Sequence, residues 1–173
     1  VVERAYGRLQ AEGAAMPRLE LPGSFAQSLM MHRLIMAVDA AESHFATFTK
    51  NQDAYGPQIS LLLQEGMSTF AIDYALALRH QPCFRQDMAR VLQGGRVAVM
   101  PATVTAAPFG LDSTGDPRFN SPWSYAGLPT VTIPCGLAAN GMPCGLQLIG
   151  PRSESITDAK GGALLRLLDA GEG

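Results

Sequence analysis

The chain has 173 residues, of which 47% are hydrophobic and 16% charged, and its formal net charge is −2. This length is enough for one hydrophobic core of ordinary size, and the absence of a basic block argues against nucleic acid as the main ligand. No apolar run approaches the roughly 20 residues that a membrane-spanning helix needs. The charged fraction is below the usual quarter, which suggests that further chain or a partner covers part of the surface.

The first residues predict half of an α/β unit. Residues 1–12 carry apolar side chains at helical spacing, and residues 16–21 alternate as a short strand would before Pro22 and Gly23 close it. Ser24 is a predicted N-cap for a long helix. Residues 51–57 interrupt the helical pattern.

Three residues, Gly66, Ser68 and Pro82, are predicted to set helix boundaries in the next part of the chain. A short helix over residues 58–65 is expected to end at Gly66, and Ser68 is expected to cap the following helix. Pro82 is expected to kink or split that following helix, because proline removes a backbone donor.

Strand patterns dominate the later part of the chain. "RVAVM" at 96–100 predicts a buried strand, and residues 102–129 form a long connection without a clear period. Residues 130–135 and 144–149 are strand-like, and Asn140–Gly141 between them predicts a two-residue hairpin loop that pairs Ala139 with Met142. A further helix is expected over residues 155–170. We therefore predict an α/β protein in which residues 1–173 form a single unit.

The three cysteines, Cys83, Cys135 and Cys144, show no disulfide spacing. We interpret them as reduced, buried thiols of a cytoplasmic protein, although the predicted hairpin puts Cys135 and Cys144 close together on one face. The three histidines lack metal-ligand spacing, so neither a metal nor a cofactor is expected.

The segment "STGDPRFNSPWSYAGLP" brings together the side chains that a polar substrate pocket needs. It offers the acid Asp116, the base Arg118, the amide Asn120 and the chain's only tryptophan, Trp123. The alternative interpretation is structural: Asp116 caps a turn, Trp123 fills the core beneath the loop, and Arg118 is solvated.

The stretch "FNSPWSYAGLPTVTIPCGLAANGMPCGLQLIGP" resembles the C-terminal portion of the amidase-signature enzymes, which include glutamyl-tRNA amidotransferase A-type subunits and many bacterial amidases. Upstream segments such as "AVDAAESH" and "YGPQISLLLQEG" resemble the same family more loosely. The residues that match the family pattern are Phe119, Asn120, Pro122, Trp123, Gly127, Leu128, Pro129, Pro134, Gly136, Gly141, Pro143, Gly145, Gln147 and Gly150.

The resemblance implies a mixed β-sheet flanked by helices, with an antiparallel hairpin near residues 130–149. The family's catalytic machinery is a Ser–cis-Ser–Lys triad, in which a Lys in an apolar strand segment acts as base toward a Ser in a Gly-Gly-Ser-Ser-Gly-Gly loop. That loop is absent from this sequence. Neither of its two lysines, Lys50 and Lys160, has the required context. In the amidotransferase branch an Asp in this region binds the substrate's amino group, and Asp116 is the nearest match.

The resemblance thus predicts the C-terminal portion of an amidase that hydrolyses a carboxamide C–N bond through an acyl-serine intermediate. This portion is expected to supply part of the substrate pocket through Asp116, Arg118, Asn120 and Trp123, and to be inactive alone. Its predicted partners are a small-molecule amide and the missing catalytic part, which lies on the same polypeptide or on a separate subunit. Whether the protein forms a homo-oligomer is left open. One alternative is a non-catalytic binding or scaffold module derived from an amidase. Another is a piece cut from a longer enzyme, which the start at Val1 favours.

Overall fold

The computed structural model describes residues 1–110 and 113–152, and it confirms the α/β class. The chain divides into two compact units, a sheet unit (Val1–Pro22 and Asp87–Gly173) and a helical unit (Gly23–Gln86). The described elements in chain order are α1 (Val2–Ala11), α2 (Ser28–Phe48), α3 (Pro57–Ser68), α4 (Ala71–Val91), β1 (Ala98–Pro101), α5 (Ser121–Ala126), β2 (Thr130–Leu137) and β3 (Pro143–Ile149). The helix expected over 155–170 lies outside the described residues.

The three described strands form an antiparallel sheet in the order β1-β3-β2. The strand expected from "RVAVM" is confirmed as β1, although it begins two residues later and is half-buried, not buried as predicted. The predicted hairpin is confirmed as the β2–β3 pair. In the middle strand, Leu146 lies opposite Pro101 on one side and Ile133 on the other. A strand paired on both sides has its backbone groups satisfied and can be buried throughout.

The core of the sheet unit lies between α1 and one face of this sheet. Ala5 and Leu9 stand one helical turn apart on α1 and pack with Ile133, Leu146 and Leu148. Full burial of a leucine or isoleucine side chain stabilises a fold by about 1.5–3 kcal/mol. The sequence pattern at 1–12 therefore predicts both the helix and its buried face correctly.

The opposite face of β3 carries a polar side chain. Successive residues of a strand point to opposite faces, so Gln147 points away from the face that Leu146 and Leu148 share. Gln147 is nevertheless only 4% exposed. Its burial requires hydrogen-bond partners on that side of the sheet, and the segment around Asn120 supplies one.

The helical unit is organised by a close approach of α2 and α3. Gly66 lies inside α3, where a Cβ atom would collide with the backbone carbonyl of Ala37 and come within 2.8 Å of the Ala41 Cβ. The prediction that the helix ends at Gly66 is wrong, because this glycine serves helix packing and not helix termination. A bidentate pair of Arg33 and Glu65, with Nε donating to Oε1 at 3.0 Å, lies on the exposed side of the same two helices.

Three other predictions about helix boundaries are wrong. Ser24 falls in a 3₁₀ turn (Gly23–Gln27) before α2, so it does not cap that helix. Ser68 is the last residue of α3, where its hydroxyl donates to the Glu65 carbonyl at 3.1 Å. Of the kink or split expected at Pro82, the split is wrong, since α4 runs through the proline without interruption, and the kink stays a prediction.

The prediction of a strand over residues 16–21 is also wrong. These residues adopt no regular secondary structure. Pro17 and Pro22 both lack the N–H group that a strand needs for pairing, so the alternating pattern has no ladder to join.

The hairpin loop is longer by one residue than the sequence predicts. Ala138, and not Ala139, pairs with Met142, its N–H donating to the Met142 carbonyl at 2.8 Å. Gly141 takes the left-handed conformation, with φ of 78°, and its N–H donates to the Ala138 carbonyl at 2.9 Å. A turn closed by a left-handed glycine is the usual form of three-residue hairpins.

Replacement of Gly66 by alanine should destabilise the protein strongly. The added Cβ meets backbone atoms of α2, which cannot rotate away, so we expect a loss of about 2 kcal/mol or more in the free energy of unfolding. Urea denaturation followed by circular dichroism measures this loss.

The matched control for Gly66→Ala is Gly7→Ala in α1, where a Cβ meets nothing within 4 Å. There we expect a gain of about 0.5–1 kcal/mol from helix propensity. Equal effects of the two substitutions would contradict the packing role of Gly66.

Burial of His32 on α2 predicts a dependence of stability on pH. Partial burial lowers the pKa of His32 from its ordinary value of 6.5, because the protonated ring is less well solvated in the fold. The unfolded chain then binds this proton first as pH falls, so stability decreases below pH 6.5 and the loss is complete once pH has passed the folded pKa. Free energies of unfolding at pH 7.5 and 5.5 should show a smaller decrease for His32→Gln than for the parent chain. An identical decrease in both proteins would rule out this role of His32.

Candidate functional site

Asp116 and Arg118 form a local ion pair at the start of the candidate segment. The Asp116 carboxylate accepts from the Arg118 backbone N–H at 2.9 Å, and Arg118 Nε lies 2.6 Å from Asp116 Oδ2. The Asp116 side chain thereby caps the 3₁₀ turn Pro117–Phe119. The two side chains are 36% and 59% exposed, so the pair presents both charges to solvent at the surface of the sheet unit.

Asn120 fastens the same segment to the sheet. Its Nδ2 donates to the carbonyl of Ala102, directly after β1, at 3.3 Å. Its Oδ1 accepts from Gln147 Nε2 on β3 at 2.9 Å. The Asn120 side chain therefore joins the end of β1 to the middle of β3, its neighbour in the sheet. These two bonds fix where the segment leaves the sheet.

Gln147 is the residue that a search for chemistry in the sequence misses. The family pattern includes it, but nothing in "CGLQLIG" shows that its partner is an asparagine 27 positions earlier. Its Oε1 is buried and has no hydrogen-bond partner among the described residues. An isolated polar residue in an otherwise apolar strand is the one signal that points to it.

Trp123 lies on α5, a short helix within residues 102–129, for which the sequence pattern predicts an irregular connection. Pro122 sits in its first turn, and Gly127 ends it in the left-handed conformation with φ of 66°, so the sequence did carry the signals of a helix with proline at its start and glycine after its end. The Trp123 side chain is 4% exposed. It is therefore part of the interior beneath the segment and does not project into solvent.

The structure thus divides the four predicted residues into two kinds. Asp116 and Arg118 form an exposed charged pair, whereas Asn120 and Trp123 are held inward, by hydrogen bonds and by burial respectively. The connection that carries all four is ordered around the Asn120–Gln147 contact. The two charges therefore lie on a segment that the sheet holds in place.

The family's catalytic groups have no counterpart in the described residues. Lys50 is exposed in the turn that follows α2, a position that leaves its ammonium hydrated, and Lys160 lies outside the described residues. Within residues 1–110 and 113–152 there is no group of three His, Cys, Asp or Glu side chains that could hold a metal ion. No helix in the same ranges is long and apolar enough to cross a membrane.

Comparison with known proteins identifies the fold. No family model matches the chain. A crystal structure of an amidase superposes with a TM-score of 0.79 at 24% identity, covering 98% of this chain and 41% of the amidase. A bacterial aryl acylamidase of the amidase-signature family superposes with a TM-score of 0.63 at 16% identity, covering 96% of this chain and 37% of that enzyme. The fold is therefore that of a part of an amidase-signature protein.

Two curated relatives extend the likeness to sequence. A Mycobacterium tuberculosis protein named as an amidase, AmiD, is 27% identical over an alignment of 124 positions, which covers 66% of this chain and 26% of that protein. The A-type subunit of the glutamyl-tRNA(Gln) amidotransferase of Microcystis aeruginosa is 27% identical over an alignment of 179 positions, which covers 86% of this chain and 37% of that relative. The resemblance to amidases and to A-type amidotransferase subunits is confirmed, and the chain spans well under half the length of these relatives.

Removal of the Asn120 side-chain amide should lower the free energy of unfolding, because its buried partner Gln147 loses its hydrogen bond. In Asn120→Ala, Gln147 Nε2 remains buried without an acceptor, and we expect the free energy of unfolding to fall by about 1–3 kcal/mol. Arg118→Ala, which removes only an exposed ion pair, should change it by less than about 1 kcal/mol. Urea denaturation of both variants measures the difference.

A double variant tests the pair directly. Adding Gln147→Leu to Asn120→Ala removes both polar groups, and part of the lost stability should return. If Asn120→Ala proves as mild as Arg118→Ala, the contact does not hold the segment.

Proposed function

We propose that this chain supplies part of the substrate pocket of an amidase that hydrolyses a carboxamide C–N bond through an acyl-serine intermediate. The single observation that carries the proposal is the charged Asp116–Arg118 pair, held on a sheet-anchored segment that leads directly into the stretch resembling the amidase-signature pattern. The likeness in fold and sequence to amidases supports the reaction class. In this proposal residues 1–173 form one portion of a single amidase-signature domain.

The proposed reaction needs groups that lie elsewhere in the complete protein. A serine attacks the amide carbonyl, the amine or ammonia leaves, and water then releases the acid from the acyl-serine. A lysine with a lowered pKa acts as the base, and backbone N–H groups stabilise the oxyanion. These groups come from the preceding part of the same polypeptide or from a separate subunit, in the cytoplasm.

The residues described above would then act on the substrate and not on the reacting atoms. The Arg118 guanidinium offers donors to a carbonyl or carboxylate, and the Asp116 carboxylate offers an acceptor to an amine. Asn120 would hold these two in place from the sheet, and Trp123 would form part of the apolar wall beneath them. No step of bond cleavage is assigned to this chain, so the proposal expects the chain alone to be inactive.

The first experiment reads the coding sequence upstream of Val1 and assays the encoded protein. We expect a lysine and a Gly-Ser-Ser-Gly loop in frame or in a neighbouring gene, and release of ammonia or amine from small carboxamides by the complete protein. The 173-residue chain, shown to be folded by circular dichroism, should release none. Hydrolysis by the folded chain alone would overturn the proposal, and absence of the lysine and serines from both places would favour a binding or scaffold module.

The same assay separates a substrate contact from a simple turn cap. Asp116→Asn keeps the oxygen that accepts from the Arg118 N–H but removes the charge. Loss of one charged contact to substrate should raise KM about tenfold, equivalent to about 1.4 kcal/mol, with kcat little changed. Lys50→Ala, in the exposed turn after α2, serves as the control with unchanged KM. An unchanged KM in Asp116→Asn would assign Asp116 to the turn alone.

A further inference from the structure

The described residues hold three free thiols in two different settings. Cys83 on α4 is exposed, contrary to the expectation of a buried thiol, whereas Cys135 on β2 and Cys144 on β3 are half-buried. The proposed pocket uses none of them. Cys135 and Cys144 lie on the two arms of one hairpin, and the register of that hairpin determines how close they come.

A β-bulge places the two sheet cysteines next to each other. Pro134 lies opposite Gly145 and Gly136 lies opposite Cys144, with the register shift between Pro134 and Gly136. Cys135 is therefore the extra residue, and it and Gly136 together oppose Cys144. Opposed residues in antiparallel strands have Cα atoms about 4.5–5.5 Å apart, which lies within the range of about 4.4–6.8 Å that a disulfide spans.

Both thiols also lie on the same face of the sheet. Cys135 packs against the core cluster that includes Leu146, and Cys144 precedes Leu146 by two residues on the same strand, so alternation points it to the same face. Gly136, the other residue opposite Cys144, has no side chain to occupy the space between them.

The pKa of the Cys135 thiol is consistent with a short distance between Cys135 and Cys144. Burial raises the pKa of the Cys135 thiol, and the charge of a Cys144 thiolate raises the same pKa further, an effect that requires the two sulfur atoms to be near each other. Only the thiolate form of a cysteine acts as a nucleophile toward a disulfide.

We propose that Cys135 and Cys144 form a reactive dithiol site that closes to a disulfide by exchange with a small-molecule disulfide such as oxidised glutathione. The thiolate of one of the two cysteines attacks one sulfur of that disulfide, forming a mixed disulfide and releasing one small thiolate. The other cysteine then loses its proton to water and attacks the protein sulfur of the mixed disulfide, which releases the second small thiolate. The two protein thiols are oxidised by two electrons, and the small disulfide is reduced to two thiols.

The test uses the full chain carrying Cys83→Ser, treated with oxidised glutathione under native conditions and then alkylated. Cyanogen bromide cleaves after Met100 and Met142 and so separates Cys135 (residues 101–142) from Cys144 (residues 143–173). We expect the two peptides to remain linked until a reductant is added, with an intact mass lower by two hydrogens. Circular dichroism before and after treatment should show the same fold.

Two further variants test whether both thiols are needed. Cys135→Ser and Cys144→Ser in the same background should each stop at one glutathione adduct on the remaining cysteine. Two stable adducts in the parent background, no reaction at all, or linkage only in urea-unfolded chain would each overturn the proposal. None of these outcomes depends on amidase activity, so the proposed function stands or falls separately.

Discussion

The need to satisfy a buried amide on the middle strand organises the sheet unit. β3 is paired on both sides, and its residues Leu146 and Leu148 contact the core that α1 closes. The residue between them, Gln147, faces the other way and is also withdrawn from water. An unpartnered buried amide is costly, so the chain that crosses this face must bring a polar group to it. Asn120 does so, and the course of the segment from 116 to 127 follows from that contact.

This constraint relates the structure to the proposed chemistry. In many enzymes binding groups sit on loops while rigid elements hold them in position. Here the charged pair Asp116–Arg118 and the helix carrying Trp123 stand on either side of the anchoring asparagine. A pocket wall built in this way can be precise without holding any of the reacting groups. The chain would thus be necessary for recognition in an enzyme whose bond-breaking residues are elsewhere.

The sequence predicts the elements whose pattern is local and misses those set by distant contacts. The first helix, the strand "RVAVM" and the hairpin follow from periodicity and an Asn-Gly turn, and the motif points to the segment that carries Asn120. Gly66 resembles a helix terminator until the approach of α2 is known, because only packing distinguishes it from a C-cap. The bond between Asn120 and Gln147 joins residues 27 apart, and no local pattern encodes it.

The bulge in the hairpin also separates the tip of this hairpin from its base. Beyond Cys135 the two strands pair in a register shifted by one residue. The pairing of Thr130–Pro134 with Gly145–Ile149 therefore does not depend on how many residues the tip contains. The tip itself, Ala139 to Met142, is exposed. Loop closure costs grow slowly with length, and a peptide inserted at Asn140 would leave the core pairing undisturbed. This makes the tip a suitable place to graft an epitope or affinity label without touching the segment that Asn120 holds.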